Sequence, residues 1–156
     1  AWSHQYKIPT YIVRPFHTYG PGLDFDDGRV FADFVSNVVK GQNIKMNSDG
    51  QQKRAFCYVS DAIAGFFSVL LKGEPGIPYN VANSSGTLTI LELAEMLIKL
   101  YPKKKIKIEK TILKNNYLQS PFNSVVPDVS RLTALGWRPK FLPLEGFHRM
   151  IESYLR

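Results

Sequence analysis

Short runs of β-branched and aromatic residues alternate along this chain with stretches of helical period, and that alternation limits the fold more than any other feature. Residues 8–15, Ile8-Pro9-Thr10-Tyr11-Ile12-Val13-Arg14-Pro15, read as a buried strand closed by proline. Phe31, Phe34, Val35 and Val38 then recur at helical spacing, which predicts a helix over residues 30–40 stopped by Gly41. A brief strand at 44–47 follows, then a turn at Ser48-Asp49-Gly50. Ser60 is placed as the N-cap of a helix reaching about Lys72, and residues 78–82 as another strand. Thr89-Ile90-Leu91-Glu92 spells a capping box, opening a helix that buries Leu93, Leu97, Ile98 and Tyr101 and ends at Pro102. Ile106 and Ile108 alternate with lysines, as in a strand with one wet face, and two helices follow at 129–135 and 144–155. Strands alternating with helices define an α/β chain.

Composition excludes several functional classes. At 156 residues with 44% hydrophobic content, the chain can bury the core of a single domain. No apolar run approaches the ~20 residues of a membrane span, and no basic segment followed by an apolar stretch opens the chain as a signal peptide would. Residues 1–6 read as the tail of something longer. Cys57 is the single cysteine, so no internal disulfide is possible and a cytoplasmic location is expected. Much of the net charge of +7 sits at 103–110, which reads as a solvated turn and a lysine-protected edge strand. The remaining positive field favours polyanionic or diphosphate ligands. No spacing typical of sequence-specific nucleic-acid binders is present. Asp24, Asp26 and Asp27 do not make a calcium loop, because Val35 stands where the closing carboxylate belongs.

Three blocks carry chemistry. Arg14-Pro15-Phe16-His17-Thr18-Tyr19-Gly20-Pro21-Gly22 lies where a strand gives way to a loop, the place where ligands bind in parallel α/β sheets. Asp49-Gly50-Gln51-Gln52-Lys53-Arg54-Ala55-Phe56-Cys57-Tyr58-Val59-Ser60-Asp61 brings an arginine to an apolar run. Leu135-Gly136-Trp137-Arg138-Pro139 supplies core anchors, Leu135 and Trp137, with Gly136 ending a helix.

In order and spacing these blocks resemble the C-terminal half of an extended short-chain dehydrogenase/reductase, the family of NAD-dependent nucleotide-sugar epimerases, dehydratases and decarboxylases. The textures nearest to it are those of UDP-glucuronate decarboxylase and dTDP-glucose 4,6-dehydratase. The resemblance covers the whole chain, residues 1–156, and implies the substrate-binding portion of a Rossmann-type enzyme. The N-terminal NAD-binding half would be missing, since the chain has no Gly-rich dinucleotide fingerprint. It also has no Tyr-x-x-x-Lys pair of the kind the family uses as acid/base, so no catalytic residue is assigned and the chain alone is expected to be inactive.

The resemblance also implies roles. Family members carry Arg-x-x-Asn before Tyr-Gly-Pro, where the asparagine bonds the substrate's phosphate or sugar; His17 occupies that position here. Pro15 and Phe16 would pass the nicotinamide of NAD. Asp27-Gly28-Arg29-Val30-Phe31-Ala32-Asp33-Phe34 is similar to a decarboxylase segment bounding the nucleotide pocket, which brings in Arg29 and Val30. Lys45 and Asn47 match a strand that covers the base or ribose, and Arg54 matches the arginine that forks onto the diphosphate. A second arginine clamp has no counterpart in residues 122–126; it is either supplied from elsewhere, with Lys110 or Lys114 as candidates, or absent. The implied partners are a nucleoside-diphosphate sugar and a second copy of the full-length enzyme. A stand-alone, non-catalytic nucleotide-sugar module is the alternative.

Overall fold

The computed structural model describes residues 2–110 and 124–156. In chain order the elements are α1 (Trp2–Tyr6), β1 (Ile12–Pro15), β2 (Thr18–Tyr19), α2 (Val30–Lys40), β3 (Ile44–Met46), β4 (Lys53–Ala55), β5 (Cys57–Tyr58), α3 (Val59–Lys72), β6 (Pro78–Val81), β7 (Thr87–Thr89), α4 (Ile90–Leu100), β8 (Ile108–Lys110), β9 (Ser124–Val125), α5 (Ser130–Ala134) and α6 (Pro143–Leu155). The strands form small ladders: β1 with β6, β2 with β5, and β3 with β8, all parallel. β4 lies between antiparallel β7 and parallel β9. The α/β expectation holds.

Two apolar cores organise these pieces. The larger gathers Phe31, Phe34, Val35 and Val38 of α2, Leu93 and Leu97 of α4, Phe147, Met150 and Ile151 of α6, and Tyr19 and Phe56 between them. Each of those helices puts its apolar residues on one face at i, i+3 and i+4 spacing, so three stripes close on one another. α2 stops as expected at Gly41, whose φ of 69° is the left-handed conformation a glycine adopts without strain. The capping box of α4 is complete: Thr89 Oγ1 accepts from Glu92 N–H at 3.0 Å, and Glu92 Oε2 accepts from Thr89 N–H at 2.7 Å.

The second core joins α3 and β6 to the C-terminal segment through Ala62, Val69, Tyr79, Val81, Leu132 and Trp137. Trp137 is the anchor expected of it, buried and donating Nε1–H to the Asp61 carbonyl at 3.0 Å. Gly65 allows that approach; a Cβ there would lie 2.9 Å from Val81 Cγ1 and 3.4 Å from Trp137 Nε1. Asp61 is itself buried, and its Oδ2 accepts from the backbone N–H groups of Lys140 and Phe141 at 3.0 and 2.9 Å.

Two local expectations need correction. The first strand is not buried: Ile12, Arg14 and Pro15 of β1 are exposed, and among the β1 residues only Val13 packs inward. β1 pairs with β6 on one side alone, which leaves the other edge uncovered among the described residues. Nor is Ser60 an N-cap. α3 starts two residues earlier than a Ser60 cap implies, with Tyr58 in the cap position and no side-chain cap, because β5 runs directly into the helix.

Candidate functional site

The chemistry-bearing blocks meet where β1 ends. Phe16 N–H donates to the Val81 carbonyl at 3.0 Å, which carries the parallel ladder one residue past Pro15. The backbone then bends sharply at His17, whose φ of 39° is unusual for a residue with a side chain. His17 is held there on both sides. Its carbonyl accepts from Cys57 N–H at 3.2 Å, and its ring meets Phe56 edge-on with centroids 5.9 Å apart. Beyond it, strand alternation sends Tyr19 into the large core, stacked on Phe147 at 4.0 Å.

Two arginines converge on this bend. Arg29 is the N-cap residue of α2, and its Nη1 donates to the Thr18 carbonyl at 3.1 Å. Its Nε donates to Asp27 Oδ2 at 2.6 Å, and the guanidinium lies 4.8 Å from the centroid of the Phe31 ring. Asp27 is held below the usual carboxylate range chiefly by that side-chain hydrogen bond. Arg54, on β4, is half-buried, and burial lowers its pKa from the ordinary value. Its Nη1 donates to the Lys53 carbonyl at 2.8 Å, and no carboxylate pairs with it among the described residues.

His17 responds to both cations. Burial, then the charge of Arg54, then that of Arg29 push its pKa down to about 4, so the imidazole is neutral at pH 7. Its Nδ1 is buried without a hydrogen-bond partner among the described residues, and so is Thr18 Oγ1 next to it. Buried polar atoms of this kind are rare in finished structures. The arrangement is therefore two guanidinium groups, one balanced and one not, beside idle polar atoms at the carboxyl ends of parallel strands. Chemically it can accept an anion with several oxygens.

Of the residues singled out from sequence, His17, Arg29 and Arg54 come together. Val30 is the exposed first residue of α2, Pro15 is exposed, and Phe16 is half-buried beside the bend. Lys45 and Asn47 are exposed, on β3 and just after it; no hydrogen bond or ring contact among the described residues ties them to the cluster. Lys110 is exposed at the end of β8, and Lys114 lies outside the described residues. His4 and His148 are both exposed on helices. Thr18 was not singled out. Its signal was its position between His17 and Tyr19, since alternation turns it away from the core.

Tyr101 and Lys105 have the Tyr-x-x-x-Lys spacing but not the geometry of an acid/base pair. Tyr101 caps the end of α4 and Lys105 sits in left-handed backbone at φ 52°, so the two do not share a helix face. The Tyr101 hydroxyl donates to Glu152 Oε1 at 2.9 Å, and burial followed by that bond raises its pKa. Cys57 is buried, and its thiol is pushed up to about 12, first by burial and then by Asp61. No group of three His, Cys, Asp or Glu able to hold a metal occurs among the described residues. No described helix is long and apolar enough to cross a membrane.

Parallel strand pairs alternating with helices make this an α/β protein of the mixed, Rossmann-like kind. The family model described as "NAD dependent epimerase/dehydratase family" matches residues 1–82, more than half of the chain, and the chain belongs to that family. It is 36% identical over 155 residues to UDP-glucuronic acid decarboxylase 6 of Arabidopsis thaliana, covering 98% of this chain and 43% of that protein. With the dTDP-D-glucose 4,6-dehydratase of Mus musculus it shares 30% identity over 156 residues, covering 99% of this chain and 43% of the relative. The fold is similar to that of a UDP-glucuronic acid 4-epimerase from Bacillus cereus, solved in complex with UDP-glucuronic acid and NAD. The TM-score is 0.83 at 22% identity, over 98% of this chain and 47% of that one. The chain thus spans less than half the length of these relatives.

Proposed function

We propose that this chain is the nucleotide-sugar-binding part of an NAD-dependent enzyme that decarboxylates, dehydrates or epimerises a sugar carried on a nucleoside diphosphate. The best match in kind is a UDP-glucuronate decarboxylase or a dTDP-glucose 4,6-dehydratase. One observation carries this reading: a half-buried guanidinium, Arg54, with no carboxylate among the described residues to balance it, stands beside the unpartnered Nδ1 of His17. Burying a cation without a counter-ion is costly, and a diphosphate bound across the bend would supply the missing negative charge. Arg54 takes that diphosphate in a bidentate grip, His17 and Arg29 flank it, and Val30, Lys45 and Asn47 bound the nucleoside.

The cofactor fits this chain only at its margin. Pro15 and Phe16 at the end of β1 can border a nicotinamide, whereas the sequence holds no Gly-rich turn to cradle a dinucleotide phosphate. NAD, when bound, supplies the hydride chemistry; this chain orients the sugar. The rest of the NAD site and the acid/base pair belong to a preceding half of the polypeptide, packed on the uncovered edge of β1 and the outer face of α3. Ile63, Phe67, Leu70 and Leu71 form a stripe at i, i+4, i+7 and i+8 on that face, all exposed. A stand-alone module would leave that stripe in water.

Calorimetric titration with UDP-glucuronic acid tests the site. Arg54→Ala should weaken binding by at least about tenfold, or ~1.4 kcal/mol, with the melting temperature nearly unmoved. Arg54→Lys should recover part of the loss, because a point charge cannot reproduce the fork. A large fall in melting temperature with unchanged affinity would make Arg54 structural.

A further inference from the structure

We propose that His17 is a proton-coupled ligand, a buried imidazole that takes up a proton when a diphosphate binds between Arg54 and Arg29. This rests on the reading of the bend as a diphosphate site and adds to it a third, conditional cation.

The groups facing the imidazole determine the sign. From β4 comes Arg54, with no carboxylate partner among the described residues. From the start of α2 comes Arg29, already paired with Asp27. From β5 comes Cys57, whose backbone N–H holds the His17 carbonyl and whose thiol stays neutral. The Phe56 ring closes one side without charge. On its own strand, Thr18 contributes a hydroxyl. The protein groups around His17 are therefore net positive, and burial together with that field keeps the proton off. A diphosphate reverses the field, because its negative charges offset both guanidinium groups. It also brings acceptor oxygens to a buried nitrogen that has no partner in the described structure. As a neutral ring His17 has a single N–H, and the other nitrogen meets an acceptor badly. As imidazolium it donates from both nitrogens. Bound phosphate therefore favours the charged form, and the histidine's acidity falls on binding.

Linkage turns this into a measurable slope. A group that binds protons more tightly in the complex than in the free protein makes affinity rise as pH falls, by at most about tenfold per pH unit for one proton. An asparagine at the same position carries no such proton, so the histidine makes nucleotide binding sensitive to acidity.

The probe is UDP-glucose, neither phosphate of which titrates in the histidine range. Its binding to the chain is measured by calorimetry from about pH 8 to about pH 5, the range that brackets an ordinary imidazole, in buffers of different ionisation enthalpy. Net proton uptake is expected to rise from near zero at the alkaline end to a large fraction of one proton at the acid end. Affinity should strengthen by roughly threefold or more per pH unit over the acid half. His17→Asn and His17→Gln should abolish the uptake, and the NMR titration of the His17 Cε1–H in the unsubstituted chain should move to higher pH on saturation. Binding that depends on Arg54 but takes up no proton would overturn this inference and leave the site reading standing. Uptake that persists in His17→Asn would overturn it as well. Absence of binding at every pH would overturn both.

Discussion

Helices α2 and α3 both carry a long run of large apolar residues, but only α2 finds cover for nearly all of them. α2 buries Phe31, Phe34, Val35 and Val38 against α4 and α6, and among its large apolar residues only Val30 is exposed. α3 buries Ala62, Gly65 and Val69 on one side, while Phe67 on the other side is 57% exposed and Leu71 76%. Two apolar stripes on one helix mean two neighbours, since an outer face meant for water would be polar. β1 tells the same story as a strand: it reads as buried in sequence, yet its second edge has no partner among the described residues and Ile12 is 40% exposed. The difference separates a region that covers its own apolar residues from one that leaves them exposed among the described residues. His17 lies at the junction, where β1 passes into the closed core.

The largest effect that can break this comparison is catalytic. The chain alone, given NAD and UDP-glucuronic acid, should form no NADH and no altered sugar, because the open region lacks its complement. Absorbance at the nicotinamide band and chromatography of the sugar check this, and turnover by the purified chain would refute it. Within the closed region, Phe147→Ala should cost about 3–5 kcal/mol of stability in denaturant titration. Its ring stacks on Tyr19 at 4.0 Å and meets Phe56 edge-on at 5.6 Å, with no exposure to water. In the open region the smallest change is expected: Phe67→Ser and Leu71→Gln should shift stability of this chain by no more than about 0.5 kcal/mol, and should reduce self-association in light scattering. A loss in Phe67→Ser comparable to that of Phe147→Ala would mean that α3 is already covered.

Local physics made some of this legible in the sequence. The bounds of α2, the capping box of α4 and the anchoring role of Trp137 all follow from residue type and spacing; the first two lie in the closed region, and Trp137 packs on the covered side of α3. The failures have a common cause. β1 reads as buried because β-branched residues next to proline look alike whether or not a neighbouring strand is present. Ser60 looked like a cap because sequence does not reveal that β5 and α3 are continuous. In the site, His17, Arg29 and Arg54 were identifiable as residue types in matching blocks. The left-handed backbone at His17, its neutral state and the idle Nδ1 depend on where β4 and α2 deliver two cations, and no local pattern encodes that.

A crystal structure of the chain with UDP-glucuronic acid would show whether the bend at His17 holds a diphosphate. Phosphate oxygens are expected at about 2.7–3.1 Å from the Arg54 guanidinium, in hydrogen-bond range, with a further oxygen reaching His17. Phosphates seated instead against the lysines of 103–110, with Arg54 and His17 untouched, would contradict it.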